Sequence, residues 1–162
     1  MVVTSVNMDK AETQFTVKDI LRTEVAPALG CTEPIAIALA AAAATALLED
    51  AAIASIEIWV DPNIYKNGIA VAIPGTQGHN GLDLAAALGA LGGNPALRLQ
   101  VLEPIDDQVV SQARALVQNG KVQVNLLQDQ KGLFIKAVVK AGERKAECTI
   151  QHMHDNIVSL KR

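Results

Sequence analysis

From Ile35 to Leu48 the chain is apolar at every position except Thr45, and most of those positions are alanine. Alanine loses no side-chain entropy in a helix and has the highest intrinsic helix propensity, so the stretch is predicted to be an α-helix. A helix without a polar face has no side to give to water, and its small side chains demand close packing all round. Thr32 is placed to cap it, and Pro34 is tolerated in its first turn. The run is too short and too alanine-rich to span a bilayer, which takes roughly 20 strongly apolar residues. It reads as a buried helix around which the rest of the chain must fold.

Residues 1–15 are polar and aperiodic, are expected to be loosely ordered at the start, and contain no apolar segment of the secretory kind. Thr16 and Asp19 form a capping-box-like start to a helix with Val17, Ile20, Leu21 and Val25 on one face, stopped at Pro27. After the alanine-rich helix, Ser55 to Val60 alternates, with Ile56, Ile58 and Val60 on one side, as a half-buried strand does. Ile69, Val71 and Ile73 repeat that pattern behind Asn67-Gly68, a hairpin-turn signal. The glycine-rich loop Pro74 to Gly81 then leads into a small-residue helix from about Leu82 to Leu91, closed by Gly92-Gly93-Asn94-Pro95.

The pattern changes near Pro104, where a soft boundary separates residues 16–103 from residues 104–162. Asp106 opens an amphipathic helix with Val109, Val110, Ala113, Leu116 and Val117 inward, ended by Gly120. Alternating strands at Lys121–Leu127, Leu133–Lys140 and Glu143–Gln151 follow, with Ile157 and Val158 beginning a fourth. Their short links predict an antiparallel meander. The class is α+β: small-residue helices packed with a short strand pair, then a helix and an antiparallel sheet of three or four strands.

Composition narrows the function classes. Lys and Arg number 14 against 17 Asp and Glu, and no basic block tracks a phosphate backbone, so nucleic acid is not an expected partner. Aromatic residues are 2 % of the chain, which leaves too few for base-stacking platforms or aromatic cages. Two cysteines, Cys31 and Cys148, do not make a disulfide framework, and the expected compartment is the cytoplasm, with no membrane association.

Cys31 sits just ahead of a helix start, where unpaired amide N–H groups and the macrodipole favour a thiolate. Glu33, two residues on, supplies a carboxylate able to accept a proton or fix a substrate amine. Read as structure alone, Cys31 is a small buried hydrophobe and Glu33 a first-turn acid complementing the dipole. The loop from Pro74 to Gly81 offers backbone amides that can cradle a carboxylate, or it is an ordinary connection; it has neither P-loop nor G-x-G-x-x-G spacing. His152 and His154 form an H-x-H pair expected at a strand end with both side chains facing one way, too few ligands for a metal site. Cys148 alternates in phase with Ala146 and Ile150 and reads as core.

Gly30-Cys31-Thr32-Glu33-Pro34, with Glu24 to Leu29 before it and Ile35 to Ala40 after it, closely resembles the L-cysteine desulfidase family, which is related to the α-chain of iron–sulfur L-serine dehydratases. Asn63 to Gly68, Ile73 to Thr76 and Gly81 to Leu91 carry the resemblance on through the chain. It implies a lyase that removes sulfide from L-cysteine, leaving pyruvate and ammonia, with a [4Fe-4S] cluster and no pyridoxal phosphate. Carried over, Cys31 is the reactive thiol and Glu33 supports it. Thr32, Asn67, Gly68, Gly75 and Thr76 lie in the substrate-binding motifs.

Members of that family are considerably longer, and the cysteines that hold their cluster lie in the later part. Such a cluster needs about three thiolates, and this chain has two cysteines, one of them read as core. The expectation is therefore the amino-terminal part of such an enzyme, inactive alone, with no metal held by this chain. A missing carboxy-terminal cluster-binding part is its expected partner, and self-association into a homo-oligomer stays open. A stand-alone amino-acid-binding module and an inactive folded remnant are the alternatives.

Overall fold

A computed structural model of the chain describes residues 16–18, 28–49 and 52–162. The helix expected between Thr16 and Pro27 lies outside them over residues 19–27. In chain order the elements are α1 (Thr32–Ala46), β1 (Ser55–Val60), α2 (Pro62–Gly68), α3 (Leu82–Gly92), a 3-10 helix (Pro95–Gln100), α4 (Asp107–Gln118), β2 (Val122–Leu126), β3 (Phe134–Ala141), β4 (Arg144–Gln151) and β5 (Ile157–Lys161). The mixed α+β class is as expected.

The alanine-rich stretch is α1, and every residue from Pro34 to Ala44 is buried. It packs on α3 along one side and on β3 and β4 along another. The approach to α3 is close enough that a Cβ at Gly89 would collide with the Ala38 carbonyl, which is why small residues line both helices. No helix among the described residues is long and apolar enough to cross a membrane.

The strands form one sheet in the order β2-β1-β3-β4-β5. Its inner face carries Ile56, Ile58, Val60, Ile135, Ala137, Val139, Ala146, Cys148 and Ile150, all buried against the helices. The outer face carries an ion-pair row, with Lys136 and Lys145 both on Glu147 (2.8 and 2.6 Å) and Lys140 on Glu57 (2.7 Å). α4 is capped as predicted, the Asp106 carboxylate accepting from the Val109 N–H at 2.8 Å, with Val110 and Ala113 buried.

Several elements differ from expectation. Residues 69–73 form no strand; a single bridge joins Ala72 to Asn80, so the expected strand pair is absent. Asn67-Gly68 is no hairpin turn but the last turn of α2, because Asp61 caps that helix and Pro62 starts it. β2 pairs with β1 in parallel, so the antiparallel meander begins only at β3. The short 127–133 link joins strands two apart, passing the end of β1 rather than turning back on β2. His152 and His154 lie in the turn after β4, not on a strand, and His152 has a left-handed backbone (φ 69°).

Candidate functional site

Cys31, rather than Thr32, is the N-cap of α1, with non-helical backbone (φ −58°, ψ 132°) and no side-chain capping bond. Its thiol is exposed, which removes the reading of Cys31 as a buried hydrophobe. Thr32 and Glu33 follow in the first turn, half-buried. The motif is held from two sides by tight backbone approaches. A Cβ on Gly30 would come within 2.8 Å of the Pro74 ring. One on Gly68 would come within 2.6 Å of a Leu82 methyl and 3.2 Å of the Glu33 Cβ. Glycine at 68 therefore lets the end of α2 sit directly on the start of α1.

That contact makes a cavity of about 250 Å³ lined by Glu33, Asp61, Asn63, Ile64, Asn67, Leu133 and His154. Asp61 is its fixed wall. At 1 % exposure, one carboxylate oxygen accepts from the Asn63 and Ile64 N–H groups (2.8 and 3.2 Å) and the other from the Phe134 N–H (2.8 Å). This one side chain ties the end of β1 to α2 and β3, and its bonding capacity is spent on the fold. The side chains of Glu33, Asn67 and His154 make no hydrogen bond or ion pair to other described residues.

Gly75 and Thr76 face elsewhere. With Gln77 and His79 they form one wall of a cavity of about 440 Å³ whose other wall is α4, with Asp107, Ser111 and Arg114. Gly75 has φ 78°, a conformation suited to glycine. The Thr76 side chain is buried, its hydroxyl 2.6 Å from the Ile73 carbonyl and 3.1 Å from that of His79. It braces the loop. The structure thus gathers Cys31, Thr32, Glu33, Asn67 and Gly68 at the α1–α2 junction, with Gly75 and Thr76 on the adjoining loop.

Cys148 is buried in β4, and burial pushes its thiol up to about 12, far from any thiolate at neutral pH. Asp61 and His154 were not singled out as site residues from sequence. Asp61-Pro62 carried a readable helix-start signal, whereas nothing local in the sequence ties His154 to residue 33.

The fold and site define an α+β unit with a small cavity lined mainly by polar side chains, one of which, Glu33, lies two residues along the chain from an exposed cysteine. No family model matches the chain. Its homologues carry the name UPF0597: a protein of Desulfatibacillum aliphaticivorans is 61 % identical over 147 residues, 90 % of this chain and 34 % of that protein. The UPF0597 protein YhaM of Escherichia coli O1:K1 / APEC is 50 % identical over 139 residues, 85 % of this chain and 31 % of its own length. One from Geobacter sulfurreducens is 43 % identical over 143 residues, covering 88 % and 33 %. The chain spans about a third of the length of these relatives.

Proposed function

We propose that this chain supplies the amino-acid-binding part of a cytoplasmic lyase that takes L-cysteine and water to pyruvate, ammonia and sulfide. The observation that carries the reading is the cavity at the α1–α2 junction, where the side chains of Glu33 and Asn67, unpaired among the described residues, line one small space and Glu33 follows the exposed Cys31 by two residues in the chain. Glu33 takes the substrate ammonium, and the Asn67 amide is one donor to its carboxylate. Cys31 moves a proton at the substrate: loss of the α-proton and of the β-sulfur as sulfide leaves an enamine, which water converts to pyruvate and ammonia.

The two thiols of this chain do not suffice for a [4Fe-4S] cluster. Cys148 is locked in the sheet, which leaves one accessible cysteine where about three ligands are needed. In this reading the cluster belongs to the complete enzyme, with its other thiolates supplied from outside this chain. The test is an anaerobic assay for sulfide and pyruvate from L-cysteine, before and after incubation with iron and sulfide, alongside calorimetric titration with L-cysteine and L-serine. Binding without turnover is the expected result. Turnover after reconstitution, lost in Cys31→Ser, would mean that chains pool their cysteines and no further part is needed. Absence of binding by either amino acid would remove the amino-acid reading.

The alternative of a stand-alone binding module draws on the same observation, since the cavity is assembled entirely within this chain whereas the cluster thiols are not. A full-length relative separates the two: it turns over L-cysteine in the first reading and only binds it in the second.

A further inference from the structure

We infer that His154 is a substrate-binding residue of this site, its imidazole receiving the carboxylate of the amino acid whose ammonium Glu33 receives. The inference rests on the amino-acid reading proposed above and adds to it a residue from the far end of the chain. Three observations carry it.

His154 lines the same cavity of about 250 Å³ as Glu33 and Asn67, yet it comes from the β4–β5 turn, far from both in sequence. It is half-buried and makes no hydrogen bond or ion pair with other described residues, Glu33 included. A group able to carry positive charge and an acid therefore share one small space without closing on each other. A zwitterionic amino acid is the small molecule that presents the matching pair of charges.

The turn that carries His154 is held by strained backbone and a long-range clamp. Arg98 donates through Nε to the Asp155 carboxylate and through a terminal guanidinium nitrogen to the Asp155 carbonyl, both at 3.0 Å. Arg98 itself has φ 50° and ψ −119°, which breaks the 3-10 helix in which it sits, and His152 has φ 69°. Left-handed backbone at two non-glycine residues costs free energy, and it persists where surrounding structure enforces it, commonly at ligand sites. The clamp binds the residue next to His154, at the surface, and so helps to hold the turn from which the imidazole enters the cavity. Arg98 and Asp155 are positioning residues.

L-cysteine and cysteamine, which differ by the carboxylate, separate the roles. The full chain, His154→Ala, His154→Gln and Arg98→Ala are titrated calorimetrically with both. His154→Ala is expected to weaken L-cysteine by about tenfold, the worth of one charge-assisted hydrogen bond, while cysteamine changes by less than about twofold. His154→Gln, which keeps a neutral donor, recovers part of the loss, and Arg98→Ala gives a smaller loss with the same selectivity. An unchanged L-cysteine affinity in His154→Ala, or equal losses for both ligands, overturns the role of His154 and leaves the amino-acid reading standing. Failure of the unsubstituted chain to bind either ligand overturns both.

Discussion

Cys31 and Cys148 are the same side chain in opposite surroundings, and alkylation separates them. The exposed Cys31 reacts with iodoacetamide in the folded chain, whereas Cys148, buried with its thiol pushed up to about 12, waits for unfolding. Mass spectrometry is expected to find one adduct on the native chain, at Cys31, and two in denaturant; comparable native labelling at Cys148 would contradict its place in the core. Position along the chain foretold Cys148, since its alternation with Ala146 and Ile150 is a strand-face pattern. It left Cys31 open, because exposure at a helix start depends on what packs there. Asp61 is the reverse case, a carboxylate spent wholly on structure. Asp61→Ala leaves three backbone N–H groups without their acceptor, one of them the start of β3, and is expected to cost about 3 kcal/mol in urea unfolding. Asp61→Asn keeps one acceptor oxygen and should fall between; parity with the parent would mean water satisfies those groups.

Among elements, the α1–α3 contact and the outer sheet face make opposite kinds of contribution. Replacing Gly89 by alanine favours the helix by about 1 kcal/mol through propensity, but the added methyl meets the Ala38 carbonyl, and backbone cannot swing aside as a side chain does. The clash decides the sign: Gly89→Ala is expected to lower stability by about 2 kcal/mol, and a raised melting temperature would show that the helices can part cheaply. On the sheet, hydrogen bonds from Lys136 and then Lys145 lower the Glu147 carboxyl from the usual 4.5 to about 2. A folded-state value below the unfolded one stabilises fully above the ordinary carboxylate range and is lost as pH falls towards 2. The stability gap between the parent and Glu147→Gln should therefore close between about pH 5 and pH 2, and a constant gap across that window would exclude the mechanism. Elements set by local pattern were legible: alanine-rich composition places α1, and periodicity places α4, β3, β4 and β5. α2 was not, because Asn67-Gly68 favours a turn by its own conformational preferences and competes with the helix start at Asp61-Pro62.

At the scale of the molecule, the least legible feature was the place of β1. Alternation marks Ser55–Val60 as a strand but carries no record of its partners, and short links favour pairing consecutive strands. Both neighbours of β1 come from the far side of Pro104: β2 in parallel, with Ile56 beside Val122, and β3 antiparallel, with Ile58 beside Ala137. His154 reaches the cavity for the same reason, since β3 must pair with β1 and β4 with β3 before the turn after Gln151 lies near Glu33. The energetic consequence is that residues 16–103 taken alone would expose both edges of β1 and the faces of α1 that rest on β3 and β4. A two-sided edge and an uncovered apolar helix leave little burial to offset the entropy of ordering the segment. A fragment ending at residue 103 is therefore expected to give an unfolded or aggregating chain by circular dichroism and no cooperative thermal transition. The full chain should unfold in a single step, with Trp59 fluorescence on β1 and far-ultraviolet dichroism changing together. A cooperatively folded fragment, or two separated transitions in the full chain, would establish the boundary near Pro104 as a division between independent folding units and would make the sheet a docking of two lobes.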